Sequence, residues 1–493
     1  MKTQRCSLNW LGLALGLLLV ASACQAPGEP AAQQTTVSAA APPTAPAEEE
    51  PVTTQAADGE AVTISIAENA IRGGKNTVTA EWLLDWAIPT FEEQMSAEGR
   101  NVQVEFIEAG VDDEDYKARL ALDLSVGEGA DVIGFDSFWL SEFVAADLLR
   151  PLSEVVGPEA EEWEGWDVIP EAVAGSLVIE DQRYGIPLGT DGRVLFFRKD
   201  IFAEAGLQED WQPTSWDEIL EAGRTIQEAL PDVTPLQFNA GTSMGEATTL
   251  QGFIPILLGT GEEPYLFEQD AWLGNSPALQ EALGFFNTVY SEGLGNVDLQ
   301  LRADGRDRSF AQFSEGTIAL LAESDYLWRG VVAPDANFPI ENREEVVGWA
   351  KIPAMQPGTG IRGQDFVSAS GGTGRVLNPN TQHPQEAWEF LSFLGSEEAL
   401  TNFVELEPRI TARTDVNETA IADDPMLSYI AEEVLPITWY RPGFEEYPQV
   451  SEAIQLMVEN VVAGRSTIEE AAQAYQAELE RIAGAENVAS TTD

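Results

Sequence analysis

One histidine and two cysteines leave this 493-residue chain few of the side chains that serve as bases, nucleophiles or soft metal ligands. His383 lies in Asn380-Thr-Gln-His-Pro384, a loop opening a surface helix, and reads as solvated. Without a second histidine, His-clustered zinc sites and Cys/His nucleophiles lack their parts. A Ser/His/Asp arrangement would rest on His383 alone. The acidic run Asp112-Asp113-Glu114-Asp115 lacks the glycine and closing glutamate of a calcium loop, and suits the first turn of a helix. Ile71-Arg72-Gly73-Gly74-Lys75 has neither the Walker nor the dinucleotide-binding glycine spacing. With 83 acidic residues any two could be offered as a glycosidase pair, so their abundance removes that signal. No metal or cofactor is expected. Binding chemistry remains: Asp136 directly follows the apolar run 130–135, where an acid needs a partner, and Trp139 stands three residues on.

Val62-Thr-Ile-Ser-Ile66 and Val102-Gln-Val-Glu-Phe106 alternate as strands. Between them residues 79–97 have helical spacing, with Pro89 bending or interrupting the helix. A second helix from about Asp113 puts Tyr116, Leu120 and Leu124 on one stripe, and residues 130–135 read as a buried strand. This alternation predicts an α/β lobe with helices covering a sheet. Further on, Tyr184-Gly-Ile-Pro187 and Val194-Leu-Phe-Phe197 read as extended, and Ser215 with Glu218 has capping-box spacing. Residues 277–292, 385–396 and 451–483 carry helical stripes.

The N-terminus reads as a secretory leader: Lys2 and Arg5, an apolar stretch 11–20, then Ala21-Ser22-Ala23-Cys24. The small residues before Cys24 resemble a bacterial lipoprotein signal, in which the cysteine is acylated and becomes the mature N-terminus. Cys6 lies inside the leader, so no disulfide within the mature chain is expected. Residues 24–60, rich in Ala, Pro, Thr, Gln and Glu, read as a disordered tether. The remainder exceeds one compact core, so two lobes are expected. A formal net charge of −57 argues against nucleic acid or anionic headgroups as partners. With only five lysines, such a surface is what a saline environment favours.

An ordered series of motifs then spans the folded region. It includes Ala130-Asp-Val-Ile-Gly-Phe-Asp136-Ser-Phe-Trp139, Tyr184-Gly-Ile-Pro-Leu-Gly-Thr-Asp191 and Pro213-Thr-Ser-Trp216. Phe313-Ser-Glu-Gly316, Ser324-Asp-Tyr326-Leu-Trp328 and Gly371-Gly372 follow, then Pro384-Gln-Glu-Ala-Trp388, Pro436-Ile-Thr-Trp439-Tyr-Arg441 and Tyr447-Pro-Gln-Val450. Together they resemble the bacterial extracellular solute-binding proteins that feed ABC importers, particularly the sugar-binding family close to maltose/trehalose-binding proteins. The resemblance implies a two-lobed, periplasmic-binding-protein-like α/β fold with an interlobe hinge and a ligand cleft. It places residues 61–195 and 355–396 in lobe I, 196–354 and 397–485 in lobe II, and a flexible tail from 486 to 493. It assigns ligand contact to Asp136, Trp139, Asp191, Tyr326, Trp328, Gly371 and Gly372, and Arg441 joins them from a polar-aromatic cluster near a crossing. Trp82, Trp86, Trp216 and Trp388, on helix patterns, are expected to be packing.

Two positions depart from the family pattern. Thr373 follows the double glycine where an aromatic is common, and Ser324 stands where relatives often carry Trp. The expectation is a monomeric, non-catalytic lipoprotein, anchored outside the cytoplasm, that captures a carbohydrate and delivers it to an ABC permease. The alternatives are a polyamine, peptide or polyol phosphate as ligand, or a carboxylate-pair glycosidase.

Overall fold

In the computed structural model, residues 61–490 are described, apart from Asp112 and Asp335. The leader, Cys24 and the tether lie outside the described residues. Twelve strands build the frame: β1 (Val62–Glu68), β2 (Val102–Glu108), β3 (Val132–Asp136), β4 (Gly185–Gly189), β5 (Arg193–Arg198) and β6 (Thr234–Gln237), followed by β7 (Ile318–Ser324), β8 (Val347–Ala350), β9 (Ile352–Pro353), β10 (Phe366–Ser370), β11 (Thr373–Leu377) and β12 (Thr438–Tyr440).

The first sheet runs β2-β1-β3-β11-β4, with β1 parallel to both β2 and β3, and β11 antiparallel to β3 and β4. Pro187 is tolerated because β4 is an edge strand. The second sheet runs β8-β5-β7-β6, and a third, β9-β10-β12, joins two strands that follow β8 to one near the end of the chain. Each of the two larger sheets is covered by helices, which gives two α/β lobes. Apolar residues on one face of β1 and β3 pack with Trp82, Phe91 and the helix Pro384–Leu394. In the other lobe Leu195, Phe197 and Leu320 pack with the helices Trp216–Ala229 and Pro277–Ser291.

The chain leaves the first sheet at Gly189 and enters the second at Arg193, so residues 190–192 form one crossing. The return comes at Gly371-Gly372, between β10 and β11. That is later than residue 355, because Val367 and Ala369 of β10 are buried in the core of the second lobe. Beyond residue 396, the helix Glu397–Leu406 serves both bodies: Ala399 and Phe403 pack toward the first, Leu400 and Val404 toward the second.

Four local expectations change. The helix at 79–97 is Thr77–Trp82, a π turn Leu83–Ala87 and Ile88–Ala97, and the widened turn sits just before Pro89, which has no N–H to donate. The stretch 451–483 is two helices, Tyr447–Val462 and Ile468–Ala483. They are separated at Gly464 (φ 66°), and the second starts with a capping box between Thr467 and Glu470. Of the expected tail 486–493, residues 486–490 are tied to the body, since Val488–Ala489 pairs in parallel with Trp272 and Leu273, and 491–493 lie outside the described residues. Ser215 caps its helix by accepting from Glu218 N (3.4 Å), whereas the Glu218 carboxylate accepts from Thr214 N (2.6 Å), one residue before the expected partner.

Candidate functional site

β3 ends at Asp136, so the acid stands at the C-terminal edge of the first sheet, where open α/β sheets form their crevices. Its Oδ1 accepts from Phe138 N at 3.3 Å, which starts the turn that carries Trp139. Both residues line two adjoining cavities between the lobes, of about 320 and 370 Å³. Asp113, Arg329, Thr373 and Arg409 also border both, so the two make one continuous cleft.

Arg441 follows β12 and crosses that cleft. Its Nη2 donates to Asp136 Oδ1 at 3.2 Å and its Nη1 to Glu246 Oε1 at 3.1 Å, while its guanidinium lies 4.7 Å from the centroid of the Phe138 ring. Glu246 is fixed by the Tyr447 hydroxyl (2.6 Å) and the Ser451 hydroxyl (2.6 Å), both on a helix of the second lobe. One guanidinium therefore joins an acid of each lobe. Burial pushes the Asp136 carboxyl up to about 6 against the pull of Arg441 and the Phe138 N–H, and Glu246 and Asp113 push the same way as burial. Arg441 is raised although burial opposes its charge, because Asp136 and Glu246 face it.

The double glycine has a concrete reason here. A Cβ on Gly371 would fall 1.9 Å from Arg441 Nη2, so its absence makes room for the bridging guanidinium. The Gly372 carbonyl accepts from Ser137 N (3.0 Å), which ties the return crossing to the Asp136 turn. At the other crossing Asp191 pairs with Arg193 and accepts from the Ser370 hydroxyl at 2.9 Å. Burial works against its charge, but Arg193 and Ser370 hold its pKa below the usual carboxylate range.

Of the expected contacts, Asp136, Trp139, Asp191, Tyr326, Gly371, Gly372 and Arg441 all border the cleft. Tyr326 is 41% exposed there, with Arg329 stacked 5.4 Å from its centroid. Trp328 borders neither cavity. It is 1% exposed, its Nε1 donates to Asp424 (3.0 Å), and Arg343 covers its ring at 4.0 Å. The π turn Leu327–Val331 turns Trp328 into the core, opposite to Tyr326.

The cleft also holds residues that the sequence motifs did not mark. Trp82, read as packing, packs on Phe403 and also walls the first cavity. Besides the expected Arg441, arginines 193, 306, 329, 375 and 409 border the cleft. Arg306 forms a two-pronged pair with the fully buried Glu323 (2.8 and 2.8 Å), and Arg375 pairs with Glu68 (2.6 Å). Arg329 donates to Asp325 and to Glu407, each at 2.9 Å. Two of these had a visible signal: Gly-Arg193-Val-Leu and Gly-Arg375-Val-Leu each set a charge inside an apolar strand, where it must find a partner.

Residues 76–401 match the profile of the family described as bacterial extracellular solute-binding protein. The chain belongs to that family. A Brucella abortus relative described as a binding protein is 25% identical over 290 residues, 59% of this chain and 64% of the relative. The solute-binding chain thus spans under two thirds of that relative's length. Among solved structures, an ABC transporter solute-binding protein of Thermotoga lettingae bound with α-D-tagatose superposes with a TM-score of 0.67. It is 23% identical and covers 86% of this chain and 100% of its own. A maltose-bound Thermotoga maritima protein gives a TM-score of 0.68 at 21% identity, covering 85% and 99%. These likenesses establish the two-lobed fold of this solute-binding protein.

Proposed function

We propose that this solute-binding protein captures a carbohydrate between its lobes and hands it to the permease of an ABC importer. The observation that carries this reading is the cleft itself. Its exposed aromatic face is Tyr326 from the second lobe, the almost wholly buried Trp82 and Trp139 back the wall on the first lobe's side, and carboxylates and guanidinium groups are set among them. Sugars present apolar ring faces and polar edges, and such walls match both. In this reading Asp136 accepts from ligand hydroxyls, and Arg441 holds it in place. The solved structures with bound tagatose and maltose support a sugar as ligand class.

Closure about the crossings at 190–192 and 371–372 would desolvate the ligand and create the form a permease distinguishes. Acyl chains on Cys24 and the proline-rich tether would keep the body at the membrane. No step of this cycle requires catalysis. The test is a thermal-shift screen of the full chain against mono- and oligosaccharides, polyols, peptides and polyamines, followed by calorimetry. A sugar should raise the unfolding temperature by mass action, and no reducing sugar should be released. A response confined to polyamines or peptides would replace the ligand class.

A further inference from the structure

Within the acidic surface the cleft gathers arginines, and their pairing is uneven. Arg193, Arg306, Arg329, Arg375 and Arg441 each have a carboxylate partner. Arg409 borders both cavities, yet among the described residues it makes no side-chain hydrogen bond and has no carboxylate within 4.0 Å. The nearest acids are engaged elsewhere: Glu407 by Arg329, and Asp325 by Arg329 and by Gly192 N (2.9 Å). Burial first, and then neighbouring Arg329, with Arg375 adding to it, lower the Arg409 pKa. Glu407 and Asp325 offset part of this from a distance, and a guanidinium remains charged under such conditions, so its charge lacks a direct partner.

The position of Arg409 is fixed by its surroundings. The Ile410 carbonyl accepts from Thr190 N (3.3 Å), Thr411 bridges Gly189, and the guanidinium lies 5.4 Å from the Phe403 centroid. Trp82 Nε1, Trp139 Nε1 and Arg375 Nη1 also have no partner among the described residues, but they are buried behind the cavity surface, which leaves the half-buried Arg409 as the donor group open to the cleft.

We infer that the captured solute is an acidic carbohydrate, whose carboxylate, sulfate ester or phosphate ester pairs with Arg409. A guanidinium fork matches all three groups in two-pronged geometry. The long-range field of a chain carrying −57 repels anions, so the acidic group must be recognised inside the cleft. At about 0.15 M salt the screening length is about 8 Å, so Arg409 and Arg375 act there while distant surface acids do not. This rests on the reading of the cleft as a carbohydrate site and narrows it.

The experiment is calorimetry of the full chain, wild type and the variants R409Q and R409K, at fixed ionic strength. The probes are uronate oligosaccharides and their neutral methyl esters, sulfated and phosphorylated sugars, and inorganic sulfate and phosphate alone. The expected result is at least tenfold tighter binding of one acidic series over its neutral match. R409Q should abolish that preference, and R409K should retain part of it. The series that binds identifies which acidic group the site takes. Equal affinity for acidic and neutral forms, unchanged in R409Q, would overturn the inference and leave carbohydrate capture standing. Binding of no carbohydrate of either kind would overturn both. Arg409-dependent binding of inorganic sulfate or phosphate as tight as that of any sugar would show a free oxyanion as ligand, and would also overturn it. The unliganded unfolding transitions of the variants separate loss of the contact from loss of the fold, and R409K keeps the test valid if R409Q is unstable.

Discussion

Asp136 is the residue on which the cleft chemistry turns, because its carboxyl lies close enough to neutrality for moderate pH changes to matter. Ligand hydroxyls that donate to it require the ionised form. A raised pKa means the proton returns as pH falls through about 6, so affinity should be flat above about pH 7 and decline below 6. Asp136→Asn should weaken binding about tenfold to a hundredfold, the worth of a charge-assisted hydrogen bond, and should remove the decline. A pH series of titrations on both proteins measures this, and an identical decline in the variant would place the titrating group elsewhere. Asp136 and Trp139 were legible because an acid directly after a buried strand has few bland explanations. Glu246, opening a short helical turn, and Arg409, in a loop, were not, since neither has a local pattern and each gains its meaning from elements distant in sequence. Trp328 shows the opposite failure: its motif position is right, but a π turn rotates it into the core.

At the scale of elements, the return crossing is shaped by what it must leave empty. Gly371→Ala would put a methyl carbon against the end of the Arg441 side chain, which is flexible enough to move aside. Because that displacement breaks a buried pairing with two acids, stability should fall by about 1–3 kcal/mol as the Arg441–Asp136 bridge is lost, and ligand affinity should change. Denaturant unfolding and calorimetry on the same variant separate the two effects. Thr467→Ala supplies the contrast. Removing the side-chain cap of Ile468–Ala483 should cost about 1 kcal/mol and leave binding untouched. The helical stripe across 451–483 was readable, but its break was not: the apolar period continues through Gly464, and only the positive φ and the capping box divide it. β1 and β2 were legible from alternation and β3, β4 and β5 as apolar runs, whereas β6, β7, β8 and β11 carried no pattern that marked them as strands. The third sheet was not legible either, because β9, β10 and β12 are short and acquire pairing only when the lobes assemble.

For the whole molecule, the charge of −57 sets the conditions under which everything above operates. Self-repulsion should destabilise the folded body in dilute buffer and relax as salt shortens the screening length from about 10 Å at 0.1 M to about 3 Å at 1 M. The unfolding temperature should rise over that range; a flat profile would show that the acids are compensated locally by pairs such as Arg198–Asp200 and Arg413–Asp415. The two-lobed plan was foreseeable from length and alternation, since more than 400 residues cannot share one core. Where the chain changes lobe was not, because that depends on which core buries Val367 and Ala369.

The Arg441 bridge has a consequence for how such a protein evolves. A ligand's apparent affinity is its intrinsic affinity reduced by the fraction of molecules already in the competent conformation. A single guanidinium holding one acid from each lobe is a setting for that fraction, and on the Glu246 side it can be altered without changing the acid proposed to touch the solute. Substitutions around Glu246, Tyr447 or Ser451 would move the working concentration range up or down while leaving selectivity among solutes unchanged. A lineage could thus adapt to scarcer or richer surroundings by altering the catch rather than the pocket.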